Sequence, residues 1–283
     1  MQVGDNWKRD SVAPDYEEDI RNDYYENRFF LDTSYRLANR YKVKGFFRNE
    51  NRDFSSFRKP GQWDPELDNY TQNEVGFNLF YRFLPLTSAL AEYGYAHKSN
   101  LDKGLPSTDS DTNWVWLGLT WEATSKITGT IKGGYTYRDY DEEDINDFEG
   151  FGMQGDLDYA LTSYTTISLN GFRKPVDTSV TEEQGVYGPY YTSIGGTLSV
   201  DHRLTHKISA NTHVSYVNDD YEEEGTYDKR RDDDRYGIGV GINYQVQDWL
   251  GCEASYSYVD NDSNVEREDY RANIIAGKIS LAF

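Results

Sequence analysis

The stretch Tyr236-Gly-Ile-Gly-Val-Gly-Ile-Asn-Tyr244 alternates between large apolar residues and small or polar ones. A period of two places successive side chains on opposite faces of a β-strand, so this stretch has one apolar face and one face of glycine and asparagine. The next segment, Leu250-Gly-Cys-Glu-Ala-Ser-Tyr-Ser-Tyr258, repeats the alternation after the short break Val246-Gln-Asp-Trp-Leu250. Together the two segments predict an antiparallel hairpin with one apolar face.

The same unit recurs along the whole chain with a period of about 40 residues, as strand, short turn, strand and long polar loop. Its marker is a short turn that occurs at 37–41, 83–88, 123–127, 161–165, 204–208 and 246–250. About thirteen strands are predicted, at 24–37, 41–56, 72–83, 88–100, 112–123, 127–140, 147–161, 165–176, 190–204, 208–220, 233–246, 250–262 and 268–283.

Composition limits the class of protein. The mean hydropathy of −0.84 and the formal net charge of −20 are typical of a very soluble or disordered chain. However, 25 Tyr, 13 Phe and 6 Trp are too many for a chain that buries nothing. The single cysteine, Cys252, excludes an intramolecular disulfide. No run of about 18 apolar residues occurs, which excludes a transmembrane helix.

Alternating strands fit either a soluble barrel or sandwich or a membrane barrel, and the polar face and the loops decide between them. The polar face is built of Gly, Ser, Thr, Asn and charges of both signs, which suits a hydrated interior. Short turns on one side and long loops on the other are typical of outer-membrane barrels. The sequence therefore predicts an all-β, antiparallel, up-and-down transmembrane β-barrel in a bacterial outer membrane, in contact with lipid.

The two chain ends add to this prediction. Ile275, Gly277, Ile279, Leu281 and Phe283 share one face of the last strand, and a terminal aromatic in this pattern resembles the signal by which outer-membrane proteins are inserted. At the other end, the strand that begins near residue 24 runs into a short turn, so residues 1–23 are expected to be the remnant of an external loop. We therefore expect 1–283 to be an N-terminally truncated barrel that lacks its signal peptide and first strand or strands, with 14 or more strands when complete.

Charged and aromatic residues on the inward face are the candidate functional residues. The expected lumen-lining residues are Arg28, Arg36, Lys42, Lys44, Arg48, Arg82, Lys132, Lys278, Asp156, Asp158 and Glu253. They form either a network of ion pairs that holds the wall or a lining that selects solutes. Inward-facing Trp114 and Trp116 could stack on the sugar rings of a glycan or simply pack.

Acidic residues concentrate in the N-terminal segment and the predicted long loops, most densely at 139–144, 219–224 and 232–234. Solvated loops or divalent-cation binding would both explain these runs. No catalytic residue is expected, because the four histidines have no orienting third group beside a nucleophile. No metal site and no cofactor are expected either. Nothing points to nucleic acid.

Several segments resemble a β-barrel porin family whose members occur in bacterial exopolysaccharide and capsule gene clusters. They are Asp147-Phe-Glu-Gly-Phe-Gly152, Gly171-Phe-Arg-Lys-Pro-Val-Asp-Thr178, Leu204-Thr-His-Lys-Ile-Ser209, Asp232-Asp-Asp-Arg-Tyr-Gly237, Asp248-Trp-Leu-Gly251 and Ile279-Ser-Leu-Ala-Phe283. The resemblance implies an outer-membrane channel that passes polysaccharide during exopolysaccharide export, with polysaccharide and periplasmic export proteins as partners. The alternative is a non-conducting structural or surface-interaction barrel whose acidic loops bind cations or glycans.

Overall fold

The computed structural model describes residues 1–11, 23–54, 69–101, 109–124, 126–142, 146–178, 190–224, 230–265 and 268–281. These residues form one antiparallel sheet of 14 strands, in which every strand pairs with its neighbours in the sequence. The strands are β1 Gln2–Ser11, β2 Asp23–Leu37, β3 Tyr41–Phe54, β4 Tyr70–Leu84, β5 Thr87–Asn100, β6 Ser110–Thr124, β7 Ile127–Tyr140, β8 Phe148–Ala160, β9 Thr165–Asp177, β10 Tyr190–Arg203, β11 Ile208–Glu224, β12 Arg230–Gln247, β13 Leu250–Ser263 and β14 Tyr270–Leu281. No helix in the described ranges is long and apolar enough to cross a membrane.

The all-β, up-and-down architecture is confirmed, and each of the thirteen predicted strands has a counterpart in the sheet. Residues 55–56, 125 and 282–283 of the predicted strands and turns lie outside the described residues. Each turn closes a hairpin; in the last one, Gln247 pairs with Leu250 across Asp248 and Trp249. The six turns lie on one edge of the sheet, and the strand ends that lead into the longer connections lie on the other. We call these edges the turn side and the loop side.

One expectation about the N-terminal segment is wrong. Residues 1–23 were expected to be loop, but Gln2–Ser11 forms β1 and pairs with β2 from Gln2 opposite Asp32 to Ser11 opposite Asp23. The strand escaped prediction because Val3, Asp5 and Trp7 share one face, so its apolar alternation is interrupted by a carboxylate. The truncation itself stays a prediction. Phe283, which carried the expectation about the last strand, lies outside the described residues.

The sheet has an apolar face and a polar face. The apolar face carries exposed side chains such as Phe77, Leu117 and Val240, the last 52% exposed. On the other face, side chains reach strands that are not neighbours: Lys132 of β7 contacts Glu92 of β5. Lys98 of β5 also lies 2.8 Å from Asp177 of β9, four strands along the sheet. Side chains can bridge that span only on the concave face of a curved sheet. The polar face is therefore concave and the apolar face is convex.

Tyrosines lie at two levels of the convex face, as the aromatic girdles of a membrane barrel do. On β12, Tyr236 and Tyr244 are 51% and 44% exposed and flank the apolar run between them. Eight residues span about 27 Å along a strand, or about 20 Å of height at a tilt of about 40°. On the loop side, the hydroxyls of Tyr135 and Tyr216 donate to Glu149 at 2.8 Å and to Asp234 at 2.6 Å. These bonds place the tyrosine hydroxyls beside carboxylates at the loop-side boundary between lipid and water.

The turn between β2 and β3 contains a left-handed residue that is not glycine. Ala38 has φ of 56°, a conformation that costs a residue with a Cβ roughly 1 kcal/mol. We expect Ala38→Gly to raise the free energy of unfolding by about 0.5–1 kcal/mol, measured by urea denaturation in phospholipid vesicles. The control is Ala89→Gly in β5, which should lower it. An unfolding midpoint for Ala38→Gly at or below the parent's would contradict this prediction.

Candidate functional site: the concave face

Charges on the concave face of β2 to β7 are mostly arranged as cross-strand ion pairs. Arg28 Nε lies 2.8 Å from Glu50, and Arg48 contacts Glu74 at 2.7 Å. Lys44 Nζ is 3.1 Å from Asp32. The pairing register places opposite charges at facing or diagonal positions, which stabilises neighbouring strands. Four of the cations proposed to line a lumen, namely Arg28, Lys44, Arg48 and Lys132, are thus held by carboxylates.

Three other predicted cations have no such partner. Arg36 and Lys42 are directly opposite each other on β2 and β3, and Arg82 lies on β4 two residues from Phe80, which is opposite Lys42. Lys42 Nζ sits 5.3 Å from the centre of the Phe80 ring. None of the three cations forms an ion pair with any described residue. All lie close to the turn side.

The predicted acidic residues lie on the same face of later strands. Asp156 accepts a hydrogen bond from Asn170 Nδ2 at 2.7 Å, and Asp158 accepts one from Ser168 at 2.5 Å. Neither is ion-paired within the described ranges. The last predicted pair, Glu253 and Lys278, is directly opposite in the register of β13 and β14.

Trp114 and Trp116 of β6 both lie against the concave wall, over Gly94 of β5 and Gly152 of β8, but they differ in what covers them. The Trp114 indole donates to Glu92 at 2.9 Å and borders a polar cavity. The Trp116 indole donates to Thr136 at 3.2 Å, and Lys132 Nζ lies over its ring at 4.9 Å. Trp114 is therefore the more open of the two to a solute.

Glycine explains why these large rings lie flat. A Cβ at Gly94 would overlap the Trp114 ring, whereas a Cβ at Gly171 would meet nothing closer than 3.8 Å. We expect Gly94→Ala to push the indole off the wall, break its bond to Glu92 and destabilise the fold by about 1–3 kcal/mol. Urea denaturation measures the loss, and Gly171→Ala is the matched control. Equal stability of the two variants would show that the ring does not depend on Gly94.

A cluster on the loop side of the concave face was not predicted from the sequence. Asp177, the last residue of β9, forms ion pairs with Arg138 of β7 and with Lys98 of β5, the latter at 2.8 Å, and accepts a hydrogen bond from the Tyr140 hydroxyl at 3.1 Å. The Tyr140 ring stacks on Tyr190 of β10, with the two planes 4° apart. We call Asp177 and its three partners the Asp177 cluster.

The Asp177 cluster borders the polar cavity that Trp114 faces. This cavity measures about 110 Å³ and is lined by Gln72, Glu74, Ala96, Lys98, Ser110, Thr112, Trp114, Arg138 and Asp177. Because the cluster connects β5, β7 and β9, it draws together strands that share no backbone hydrogen bonds. It therefore narrows the concave face on the loop side.

Two of the acidic runs expected in loops belong to strands. Residues 219–224 end β11 and residues 232–234 lie near the start of β12. Their pairing sets Asp219 opposite Asp233 and Asp220 opposite Asp232. Without nearby cations, the facing carboxylates would repel each other and destabilise the pairing of the two strands. Three arginines compensate these carboxylates, through the ion pairs Arg235–Asp219, Arg231–Asp233 and Arg230–Asp220. This compensation lets the strands continue beyond the predicted ends.

The concave polar face, the apolar convex face and the two edges are the features of an outer-membrane barrel. A scan against protein-family models matches residues 66–283 to the family described as "Putative beta-barrel porin 2". The chain belongs to this family. As a member of a porin family, it lies in the bacterial outer membrane in contact with the lipid bilayer. A search of curated proteins found no match.

Solved structures with a similar fold are longer chains. Two variants of the FrpB iron transporter from Neisseria meningitidis align with TM-scores of 0.56 and 0.58, over 88% and 92% of this chain and 45% and 48% of theirs, at 9% and 8% identity. The ferric citrate transporter FecA aligns with a TM-score of 0.50 over 86% of this chain and 43% of its own, at 12% identity. The chain spans less than half the length of these structures. At this identity, the likeness shows the fold alone.

Proposed function

We propose that the concave face lines a hydrated lumen through which this outer-membrane barrel passes a hydrophilic solute. The observation that carries the proposal is the division of the two faces. The apolar side chains lie on the convex face, and the charged, hydroxyl and amide groups line the concave face. A wall of this kind keeps water inside the barrel and lipid outside.

We further propose that the solute is a polysaccharide on its way out of the cell, supplied by periplasmic export proteins. Trp114 supports this part of the proposal. Its indole is anchored by Glu92 and lies flat on Gly94, so it presents a fixed ring beside polar groups that can bind hydroxyls. Trp116 is a weaker candidate, since Lys132 covers its ring.

The test is single-channel recording of the refolded barrel in planar bilayers, with folding shown by heat-modifiable gel mobility. We expect discrete conductance steps and brief current blocks when neutral oligosaccharides are added on the turn side. Trp114→Ala should shorten the blocks, and Trp116→Ala should change them less. A folded barrel that never conducts would overturn the channel proposal, while conductance without sugar-dependent blocks would overturn only the polysaccharide part.

A second function is favoured by the Asp177 cluster. By connecting β5 to β9 across the concave face, the cluster narrows the loop side, as expected of a closed barrel that serves as a structural or surface-interaction protein. The acidic strand ends on that side would then be the surface that meets cations or glycans. Conductance that appears only after Asp177 is replaced would favour this second function.

A further inference from the structure

On β2 to β7, the unpaired cations of the concave face are confined to the turn side. On β2 to β7, every described concave cation away from the turn side has a carboxylate partner, and these cations are Arg28, Lys44, Arg48, Arg52, Lys98, Lys132 and Arg138. On these six strands, only Arg36, Lys42 and Arg82 have none among the described residues. We call these three residues the basic arc.

The basic arc lowers the stability of the sheet, which a wall with only a structural role would avoid. Arg36 and Lys42 face each other directly across β2 and β3, and like charges in this position destabilise a sheet. The carbonyl of Arg40, in the turn between these strands, accepts a hydrogen bond from the Arg82 amide at 2.8 Å, which brings a fourth cationic residue to the same edge. The backbone therefore concentrates positive charge at one position on the turn-side mouth.

Unpaired carboxylates lie at the same level on other strands. Asp156 and Asp158 of β8 and Asp201 of β10 lie on the concave face near the turn side and form no ion pair within the described ranges. Arg203, the next concave residue of β10, donates to the Ser163 carbonyl and not to these carboxylates. We call them the acidic arc. The nearest members of the two arcs are on β4 and β8, which are four interstrand spacings apart, about 19 Å along the sheet at about 4.8 Å per spacing. This exceeds the screening length in physiological salt, about 8 Å, so the two arcs do not neutralise each other.

We propose that the basic arc is a recruitment site for anionic solutes at the turn-side mouth of the lumen, and that the acidic arc keeps such solutes on the wall of β2 to β4. The ligand class is a solute with carboxylate or phosphate groups, since arginine and lysine bind both. Short turns of outer-membrane barrels face the periplasm, so the site takes anions from that side. The inference deepens the proposed channel function and rests on it for the direction of transport, but not for binding.

The first test measures binding alone and does not need an open pore. Citrate and pyrophosphate are titrated calorimetrically, in separate experiments, into the folded barrel in detergent. We expect both to bind, and we expect the triple variant R36Q/K42Q/R82Q to raise the Kd at least 10-fold. Arg173→Gln is the control, because it removes a cation from the convex face of β9. Failure of the parent to bind either anion, or equal binding by the triple variant, would overturn the proposal.

The second test measures selectivity in planar bilayers with a KCl gradient. The parent should prefer anions, and the triple variant should shift the reversal potential toward cation preference. D156N/D158N/D201N should shift it in the opposite direction. If the folded barrel conducts nothing, the channel proposal fails and the calorimetric result alone decides the binding site. If it conducts and neither variant moves the reversal potential, the arcs do not set selectivity.

Discussion

Replacing Asp177 by asparagine is expected to destabilise the folded barrel by about 3 kcal/mol. Removing one partner of a buried ion pair leaves an uncompensated charge and costs roughly 3–5 kcal/mol. The lower figure applies because the side chains of Asp177, Arg138 and Lys98 keep 18%, 15% and 11% of their exposure. The substitution preserves shape but leaves both cations without their carboxylate. We also expect larger current steps, since the constraint between β5 and β9 is released.

The measurement is urea denaturation in phospholipid vesicles, with single-channel recording on the same preparation. Asp156→Asn is the matched control, because Asp156 lies on the same face and bonds only to neutral amides in the described chain. It should change the stability by no more than about 0.5 kcal/mol. Equal unfolding midpoints for the two variants would show that the Asp177 cluster contributes nothing to the fold.

Replacing Val240 by arginine is expected to cost about 2–4 kcal/mol, the usual penalty for a cation at the mid-plane of a barrel's lipid face. Val240 lies on the convex face of β12, midway between the girdle residues Tyr236 and Tyr244, and is 52% exposed. In a membrane, that exposed area meets hydrocarbon. An arginine there must stretch toward the headgroups or draw water into the bilayer.

Ser255→Arg is the control for this prediction. Ser255 of β13 pairs with Gly241 of β12, next to the pairing of Val240 with Tyr256. Its side chain therefore points to the opposite, concave face. A hydrated concave face should accept the arginine with a loss below about 1 kcal/mol. Urea unfolding in vesicles gives both values. If Ser255→Arg were the more damaging of the two, the assignment of the lipid face would be reversed.

Much of the fold was predictable because each strand carries its own signal. Alternation such as that of Tyr236–Tyr244 depends only on the period of two, and the turn chemistry at 246–250 fixes where a hairpin closes. In an up-and-down sheet every pairing is to the next strand along, so local signals are sufficient for the topology.

β1 escaped prediction because it carries little of this signal. Its convex side has Asp5 between Val3 and Trp7, and Asp5 accepts a hydrogen bond from Asn27 of β2 at 2.6 Å. A carboxylate stabilised by a neighbouring strand looks in the sequence like a loop residue. Only the pairing partner reveals the strand.

The Asp177 cluster could not be predicted for a different reason. Its members come from β5, β7 and β9, and no spacing in the sequence connects them. The alternation of faces along β9 also predicted the wrong side for Asp177. The residues of β9 that face the concave side have even numbers as far as Phe172, whose ring lies beside Gly195, whereas Asp177 has an odd number. The inward parity of Lys98 and Arg138 was readable, but their partner was not.

Sequential pairing also determines how the molecule would respond to force. If the chain is pulled from the end of β14, strands that are bonded only to their neighbours should detach one hairpin at a time. The force–extension curve should then show a sawtooth of similar force peaks. The bonds from Asp177 to Lys98 and Arg138 are side-chain crosslinks between non-adjacent strands. They should merge the hairpins from β5 to β9 into one mechanical block, which would rupture in a single larger event.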